Sequence, residues 1–243
     1  MKLLFIRHGD PDYANDSLTE KGMREARLLA ERMAHTHVDC CYCSPLGRAK
    51  LTASPCLERM NMNAEEMEWL EEFSPRILRP DSPERAHVSW DWLPQDWTIR
   101  DHFYRYDKWW DDDIMNEGHV KERAMHIFTE LDKLLSRHGY VREGNFYRAV
   151  KPNNDTIAFF CHFGVTALML SHLIGASPMV LWHGMISAPT SVTTVYTEER
   201  RRGIASFRIA AFGDISHLYA ADEPPAFSGR FCECYDNEDE RHD

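Results

Sequence analysis

Two arginines and two histidines stand where strands should end or a helix should begin, and together they offer the chemistry of phosphate handling. Arg7 and His8 follow the apolar run Leu3-Leu4-Phe5-Ile6 and precede Gly9. Four apolar residues between charge and glycine are too few for a helix and predict a short buried strand. In an open α/β sheet, ligands collect in the crevice beyond the carboxyl ends of such strands. The planar guanidinium of an arginine fits phosphate oxygens, and a neutral imidazole can attack phosphorus. The same arrangement recurs later, where Thr156-Ile157-Ala158-Phe159-Phe160-Cys161 runs into His162-Phe163-Gly164. Arg48 falls in the first turn or so of a helix predicted after Ser44-Pro45, at the same sheet edge as His8. Each residue alone also reads as a solvated arginine or a satisfied core histidine. Recurrence at two strand ends favours a site.

The elements that would position these residues alternate in an α/β pattern. After a turn-rich loop at residues 10–16, Ser17 with Glu20 three residues on predicts a capped helix running to about Met33. Val38 to Cys43 predicts a second buried strand, and Ala64 to Leu70 a third that leads to Glu71-Glu72. Residues 73–117 then change character. They carry Pro75, Pro80, Pro83 and Pro94 and five of the seven tryptophans: Trp90, Trp92, Trp97, Trp109 and Trp110. Such aromatic content argues against a structureless loop, so the segment reads as an insertion, either a lid over the crevice or a structural or dimer element. Apolar spacing predicts a helix over about 118–138 and another from Val165 to about Ile174, whereas Glu143 to Asn154 reads as a loop. Two more strands are expected at 191–197 and 205–212, joined by a charged loop at 198–202.

Composition narrows the class of function. With 243 residues and 43% hydrophobic content the chain can bury a sizeable core. Of the formal net charge of −11, the residues after Ala221 carry −6, so 222–243 reads as an acidic tail with little order expected beyond about Pro225. An acidic chain argues against non-specific nucleic-acid binding. No apolar run approaches the ~20 residues of a transmembrane helix, and the start lacks a signal-peptide pattern, so no membrane association and a cytoplasmic location are expected. Seven cysteines in no framework spacing suit reduced thiols. Cys40-Cys41-Tyr42-Cys43 invites a zinc reading, but neighbours on a strand cannot all point to one face, so no metal is expected there.

Taken in order, the motifs resemble the histidine phosphatase superfamily, the phosphoglycerate-mutase-like group. The resemblance rests on Leu4-Phe5-Ile6-Arg7-His8-Gly9, on Leu18-Thr19-Glu20-Lys21-Gly22, and on Ser44-Pro45-Leu46-Gly47-Arg48-Ala49-Lys50-Leu51-Thr52-Ala53. Leu70-Glu71-Glu72, Cys161-His162-Phe163-Gly164 and Phe212-Gly213-Asp214-Ile215-Ser216-His217-Leu218 complete it. It implies an α/β fold with a mainly parallel sheet flanked by helices on both faces, spanning residues 1–221 as one domain with the aromatic-rich insertion at about 73–117. It also implies a metal-independent, cofactor-free phosphomonoester hydrolase acting on a phosphorylated small molecule. His8 would take the phosphoryl group, and Arg7, Arg48 and His162 would cradle it, with His162 favouring its protonated form against a phosphate dianion. One of Glu71 and Glu72 would protonate the leaving oxygen, and the family spacing selects Glu72. Asn15 is a further phosphate-binding candidate, one residue away from the usual asparagine spacing. A phosphoglycerate-mutase-type phosphotransferase and a noncatalytic phospho-ligand binder are the alternatives. Phe73-Ser74-Pro75-Arg76 after Glu72 lacks the mutase pattern, and retention of both His8 and the acid disfavours a binder. Homo-oligomerisation stays open.

Overall fold

A computed structural model describes residues 1–231 and 233–235. Its strands in chain order are β1 (Lys2–Arg7), β2 (Pro11–Asp12), β3 (Ser17–Leu18), β4 (Cys40–Cys43), β5 (Ala64–Glu66), β6 (Arg76–Leu78), β7 (Ala86–Val88), β8 (Tyr140–Glu143), β9 (Phe146–Ala149), β10 (Thr156–Cys161), β11 (Val192–Arg201) and β12 (Ile204–Asp214). The helices are α1 (Glu20–Ala34), α2 (Gly47–Met60), α3 (Pro94–Trp97), α4 (Asp113–Glu117), α5 (Val120–Arg137), α6 (Phe163–Ile174), α7 (Pro178–Gly184) and α8 (Ser216–Tyr219).

The main sheet has eight strands in the order β5-β4-β10-β1-β11-β12-β9-β8. Its site-bearing half, β5-β4-β10-β1, is parallel, and β11 joins the far side of β1 antiparallel. Side chains of β1 alternate between the two faces, as a period of two requires. Leu3 and Phe5 enter one core with α5 and α6, while Leu4 and Ile6 enter a second core with α1 and α2. Both faces are thus covered by helices, which is the α/β architecture the motifs imply. Each fully buried Leu, Ile or Phe contributes about 1.5–3 kcal/mol relative to exposure, and two dry faces therefore anchor β1 up to its carboxyl end.

Several elements differ from the sequence expectation for identifiable reasons. Helix α1 starts two residues later than the Ser17 signal suggests, because Ser17 pairs in the small β2–β3 ribbon and Thr19 accepts from the Gly22 N–H as the cap. The third strand stops at Glu66, and Glu68–Leu70 turns as a 3₁₀ segment that buries Trp69 and Leu70. The expected loop at 143–154 is instead the β8–β9 hairpin, reversed at Gly144 with φ +61°. Its charged outer face hides the alternation that buries Tyr147 and Ala149. Strands β11 and β12 extend through the charged segment 198–202 and turn at Gly203, φ +81°.

Insertion 73–117 packs its aromatic side chains into the core. Phe103 and Trp109 are fully buried in the α5–α6 core, and Trp92 and Trp110 nearly so. Its β6–β7 hairpin stands at the crevice.

Residues beyond Ala221 begin as a packed strap. Glu223 accepts from Lys21 Nζ at 2.8 Å, and the Ala226 N–H donates to Glu25 Oε1 at 3.0 Å. Farther on, Arg7 Nη1 donates to the Ser228 carbonyl at 3.2 Å. Order thus continues past Pro225, because the buried Glu25 and Arg7 both need partners. Cys232 and residues 236–243 of the acidic segment lie outside the described residues. Among those described, no helix is long and apolar enough to cross a membrane.

Candidate active site

The β1–β10 register sets Arg7 beside Cys161, so His8 and His162 leave adjacent strands at the same level. The His8 N–H donates to the Cys161 carbonyl at 3.0 Å, and its own carbonyl accepts from the Thr190 N–H at 3.1 Å. The two imidazole rings face each other at 5.1 Å between centroids. Gly9 permits the chain to turn against α1: a Cβ there would lie 2.8 Å from the Gly22 carbonyl oxygen. The Gly9 N–H donates to Thr52 Oγ1, whose hydroxyl donates to the Arg48 carbonyl, so the end of β1 and the first turn of α2 are joined.

His8 is held by Nδ1, 2.7 Å from the Gly9 carbonyl oxygen. A carbonyl only accepts, so Nδ1 carries the proton and Nε2 keeps its lone pair. Burial pushes the His8 pKa well below its ordinary value, and the charges of Arg7 and Arg48 push the same way. His162 is likewise pushed well below its ordinary value, by burial first and then by His8, Arg48 and Arg7. The expectation of a protonated His162 therefore belongs to the phosphate-bound state, since without a dianion nothing offsets burial. His162 Nε2 lies 2.8 Å from Ser44 Oγ, and its buried Nδ1 has no hydrogen-bond partner among the described residues.

Arg48 sits on the wall of a cavity of about 500 Å³ that also contains His8, Tyr13, Glu71, Glu72 and Trp90. Asp16 fixes the arginine: Oδ1 accepts from Arg48 Nη1 at 2.6 Å, and Oδ2 accepts from the Gly47 N–H at 2.6 Å. The guanidinium also lies over the Tyr13 ring, 5.5 Å from its centroid. Arg7 is buried, donating to the Ser187 and Ser228 carbonyls. Its Nε and that of Arg48 are buried without hydrogen-bond partners among the described residues.

Glu72 reaches the site from the turn after Leu70. Its Oε1 accepts from the Phe73 N–H at 2.8 Å and the Val165 N–H at 3.0 Å, and its Oε2 from the Gly164 N–H at 3.3 Å. These donors, with Arg7, favour the carboxylate, yet burial outweighs them and raises the Glu72 pKa. A Cβ on residue 164 would lie 2.6 Å from Glu72 Oε1 and 2.7 Å from Trp90 Nε1, so only glycine allows this contact. Glu71 also lines the cavity but turns toward Arg123, 4.0 Å away.

His8, Arg48 and Glu72 therefore share one cavity, with His162 against His8 and Arg7 beneath the strap. Asn15 is not brought to the cavity wall. It is exposed, and its Nδ2 donates to Asp12 at 2.7 Å. Asp16, Tyr13 and Ser44 escaped sequence reasoning, whereas Trp90 belongs to the aromatic insertion read as a lid or a structural element; Asp16 stands one residue beyond Asn15, at φ +45°. Among the described residues no group of three His, Cys, Asp or Glu side chains is placed to hold a metal ion. Cys41 and Cys43 are buried thiols whose pKa burial pushes up to about 12.

The profile of the histidine phosphatase superfamily (branch 1) matches residues 3–210. The chain belongs to the histidine phosphatase superfamily. Among relatives of this family, phosphoserine phosphatase 1 of Hydrogenobacter thermophilus is 24% identical over 219 residues, covering 86% of this chain and 92% of its own. The adenosylcobalamin/alpha-ribazole phosphatase of Salmonella typhi is 24% identical over 196 residues, covering 75% and 84%. A phosphoserine phosphatase from Entamoeba histolytica, solved with 3-phosphoglyceric acid, superposes with a TM-score of 0.57 at 18% identity, over 89% of this chain and 98% of its own. That likeness bears on the fold. Family membership and phosphatase-named relatives support a phosphatase activity for this chain.

Proposed function

We propose that the protein is a phosphomonoester hydrolase that works through a phosphohistidine on His8, on a phosphorylated small molecule and without a metal. One observation carries the reading: His8 keeps its proton on Nδ1, toward the Gly9 carbonyl, on the wall of a cavity it shares with Arg48 and within the field of the buried Arg7. The lone pair of Nε2 attacks phosphorus, the P–O bond to the leaving group breaks, and Glu72 delivers its proton to the departing oxygen. Water then attacks the phosphohistidine, Glu72 takes a proton back, and orthophosphate leaves with His8 restored. Arg7, Arg48 and His162 stabilise the equatorial oxygens, a task of positioning and charge compensation that guanidinium groups perform. Asn15 would join only if its amide exchanged Asp12 for the ligand. Free thiols at Cys40, Cys41, Cys43, Cys56 and Cys161 suit a reducing compartment such as the cytoplasm.

The test is a quench experiment with 4-nitrophenyl phosphate. Intact-mass analysis under alkaline conditions should find one added phosphoryl group in the wild type and none in His8→Ala, which should also lose turnover. Normal turnover by His8→Ala would remove the reading. Activity should persist after chelation, and loss of activity restored by a divalent ion would overturn metal independence.

A further inference from the structure

The closing motif Gly213-Asp214-Ile215-Ser216-His217-Leu218 has no part in the chemistry proposed above, yet its histidine reaches the nucleophile through one residue, Thr190. Thr190 is fully buried and has φ +58°. A β-branched side chain crowds the backbone in this left-handed region, so the surroundings must enforce the conformation. The turn aims the Thr190 N–H at the His8 carbonyl, 3.1 Å away, while the His8 N–H donates to the Cys161 carbonyl at 3.0 Å. Two separate segments, β10 and the 187–191 turn, thus clamp the backbone of His8. The side chain of Thr190 is clamped in its turn. Its Oγ1 donates its single proton to the Pro189 carbonyl at 2.7 Å, so toward His217 Nε2, 3.1 Å away, it only accepts. His217 therefore carries its proton on Nε2 and turns the Nδ1 lone pair to Arg32 Nη1 at 3.5 Å. Arg32 is itself held by Asp214, Nη2 donating to Oδ2 at 2.7 Å. Burial first, and then the charge of Arg32, push the His217 pKa down to about 4 against the pull of Asp214, so the ring stays neutral and keeps this tautomer at neutral pH. A glycine would adopt the same φ without steric cost but would offer His217 no hydroxyl.

We propose that Thr190, braced by His217, is a positioning residue for phosphoryl transfer: through the His8 carbonyl it sets the distance and angle at which His8 Nε2 meets phosphorus. The proposal rests on the phosphatase reading above and gives the closing motif a role in it. Arg7 is bound to the same turn by the Ser187 and Ser191 carbonyls, contacts that a change at the Thr190 hydroxyl leaves in place. Loss of the brace should therefore cost transfer and spare phosphate affinity.

Vanadate and orthophosphate separate the two effects. Both engage the guanidinium groups, but vanadate also takes the His8 Nε2 lone pair as a fifth ligand, and such mimics of the transfer state bind at least about 10²-fold tighter than ground-state ligands. Calorimetry on the full chain should show this preference in the wild type. In T190G, which is free of the strain, and in H217F, the preference should fall by about tenfold or more while the orthophosphate Kd stays within about twofold, and single-turnover phosphorylation of His8 by 4-nitrophenyl phosphate should slow by about 10- to 100-fold. T190S restores the hydroxyl and H217Q restores an N–H donor, so both should recover most of the loss. T190G/H217F should be no worse than T190G, as groups acting in series require. Near-ultraviolet circular dichroism checks the fold of each variant. An unchanged vanadate preference in T190G, an equal loss for both anions, or no recovery in T190S overturns the brace, as does a wild type without the preference. If the wild type prefers vanadate but hydrolyses no phosphomonoester, the phosphatase reading fails separately, and the Kd ratios in T190G and T190S still decide the brace.

Discussion

Glu72 rests on the first turn of α6, its carboxylate accepting from the Val165 N–H at 3.0 Å. His162 is the N-terminal cap of that same helix, so the proposed proton donor and one wall of the phosphate pocket share a single support. Helix N-termini favour the carboxylate, yet burial keeps the Glu72 pKa raised. A carboxyl group in this balance is fixed in place while its pKa is raised, which suits the proton-donor role proposed for it.

Glu72→Gln keeps the shape and removes the transferable proton. For an alkyl phosphate, whose leaving alkoxide is strongly basic, kcat should fall by about 10²–10⁴-fold. For 4-nitrophenyl phosphate, whose leaving group needs little protonation, the loss should be much smaller. Steady-state kinetics on the pair check this, and equal losses would remove Glu72 from the role.

The pH profile should be asymmetric. Burial and the two arginines hold His8 neutral to well below its usual range, so the acidic limb of kcat/KM should lie below the ordinary histidine value of 6.5. Glu72 works protonated, and its pKa is raised by burial, so activity should be complete below that raised value and lost as pH rises through it. Profiles corrected for ionisation of the ester should show this basic limb in the wild type and lack it in Glu72→Gln.

Asp16 is expected to act through Arg48. It accepts from both the Arg48 side chain and the Gly47 N–H, and Asp16→Ala releases both. Its side chain is 42% exposed, which weakens the pair, so KM for a phosphomonoester should rise about three- to tenfold with a smaller change in kcat. Titration with orthophosphate as a competitive inhibitor should show a parallel loss.

Truncation after Ala221 should alter the site rather than spare it. The Ser228 carbonyl draws on Arg7 Nη1, and removing the strap returns that donor to the pocket. Orthophosphate should then inhibit about threefold more tightly or better, as a freed charge-assisted hydrogen bond implies. The thermal transition should drop as well, because Glu25 loses the Ala226 N–H and Lys21 loses Glu223. Unchanged inhibition would show that Arg7 already serves phosphate from beneath the strap.

The parts legible in the sequence were those encoded locally. Leu3 to Ile6 reads as a strand because its neighbours along the chain decide it, and Arg7, His8 and His162 follow from where such strands stop. Arg48 follows from the helix that Ser44-Pro45 announces. Asp16 and Ser44 were not legible as partners, because their hydrogen bonds to Arg48 and His162 span 32 and 118 residues and have no local pattern. The strap was misjudged for the same reason: its acidic composition suggests solvation, while its contacts to Lys21, Glu25 and Arg7 are made some 200 residues away. Asn15 was attractive by type, with a spacing one residue off, but Asp12 competes for its amide three residues away.

The space at Gly164 is shared by Glu72 Oε1 and Trp90 Nε1, both too near to admit a methyl group. Any side chain larger than glycine at 164 would have to displace both the Glu72 carboxylate and the Trp90 ring, so these two neighbours cannot be altered independently of that position.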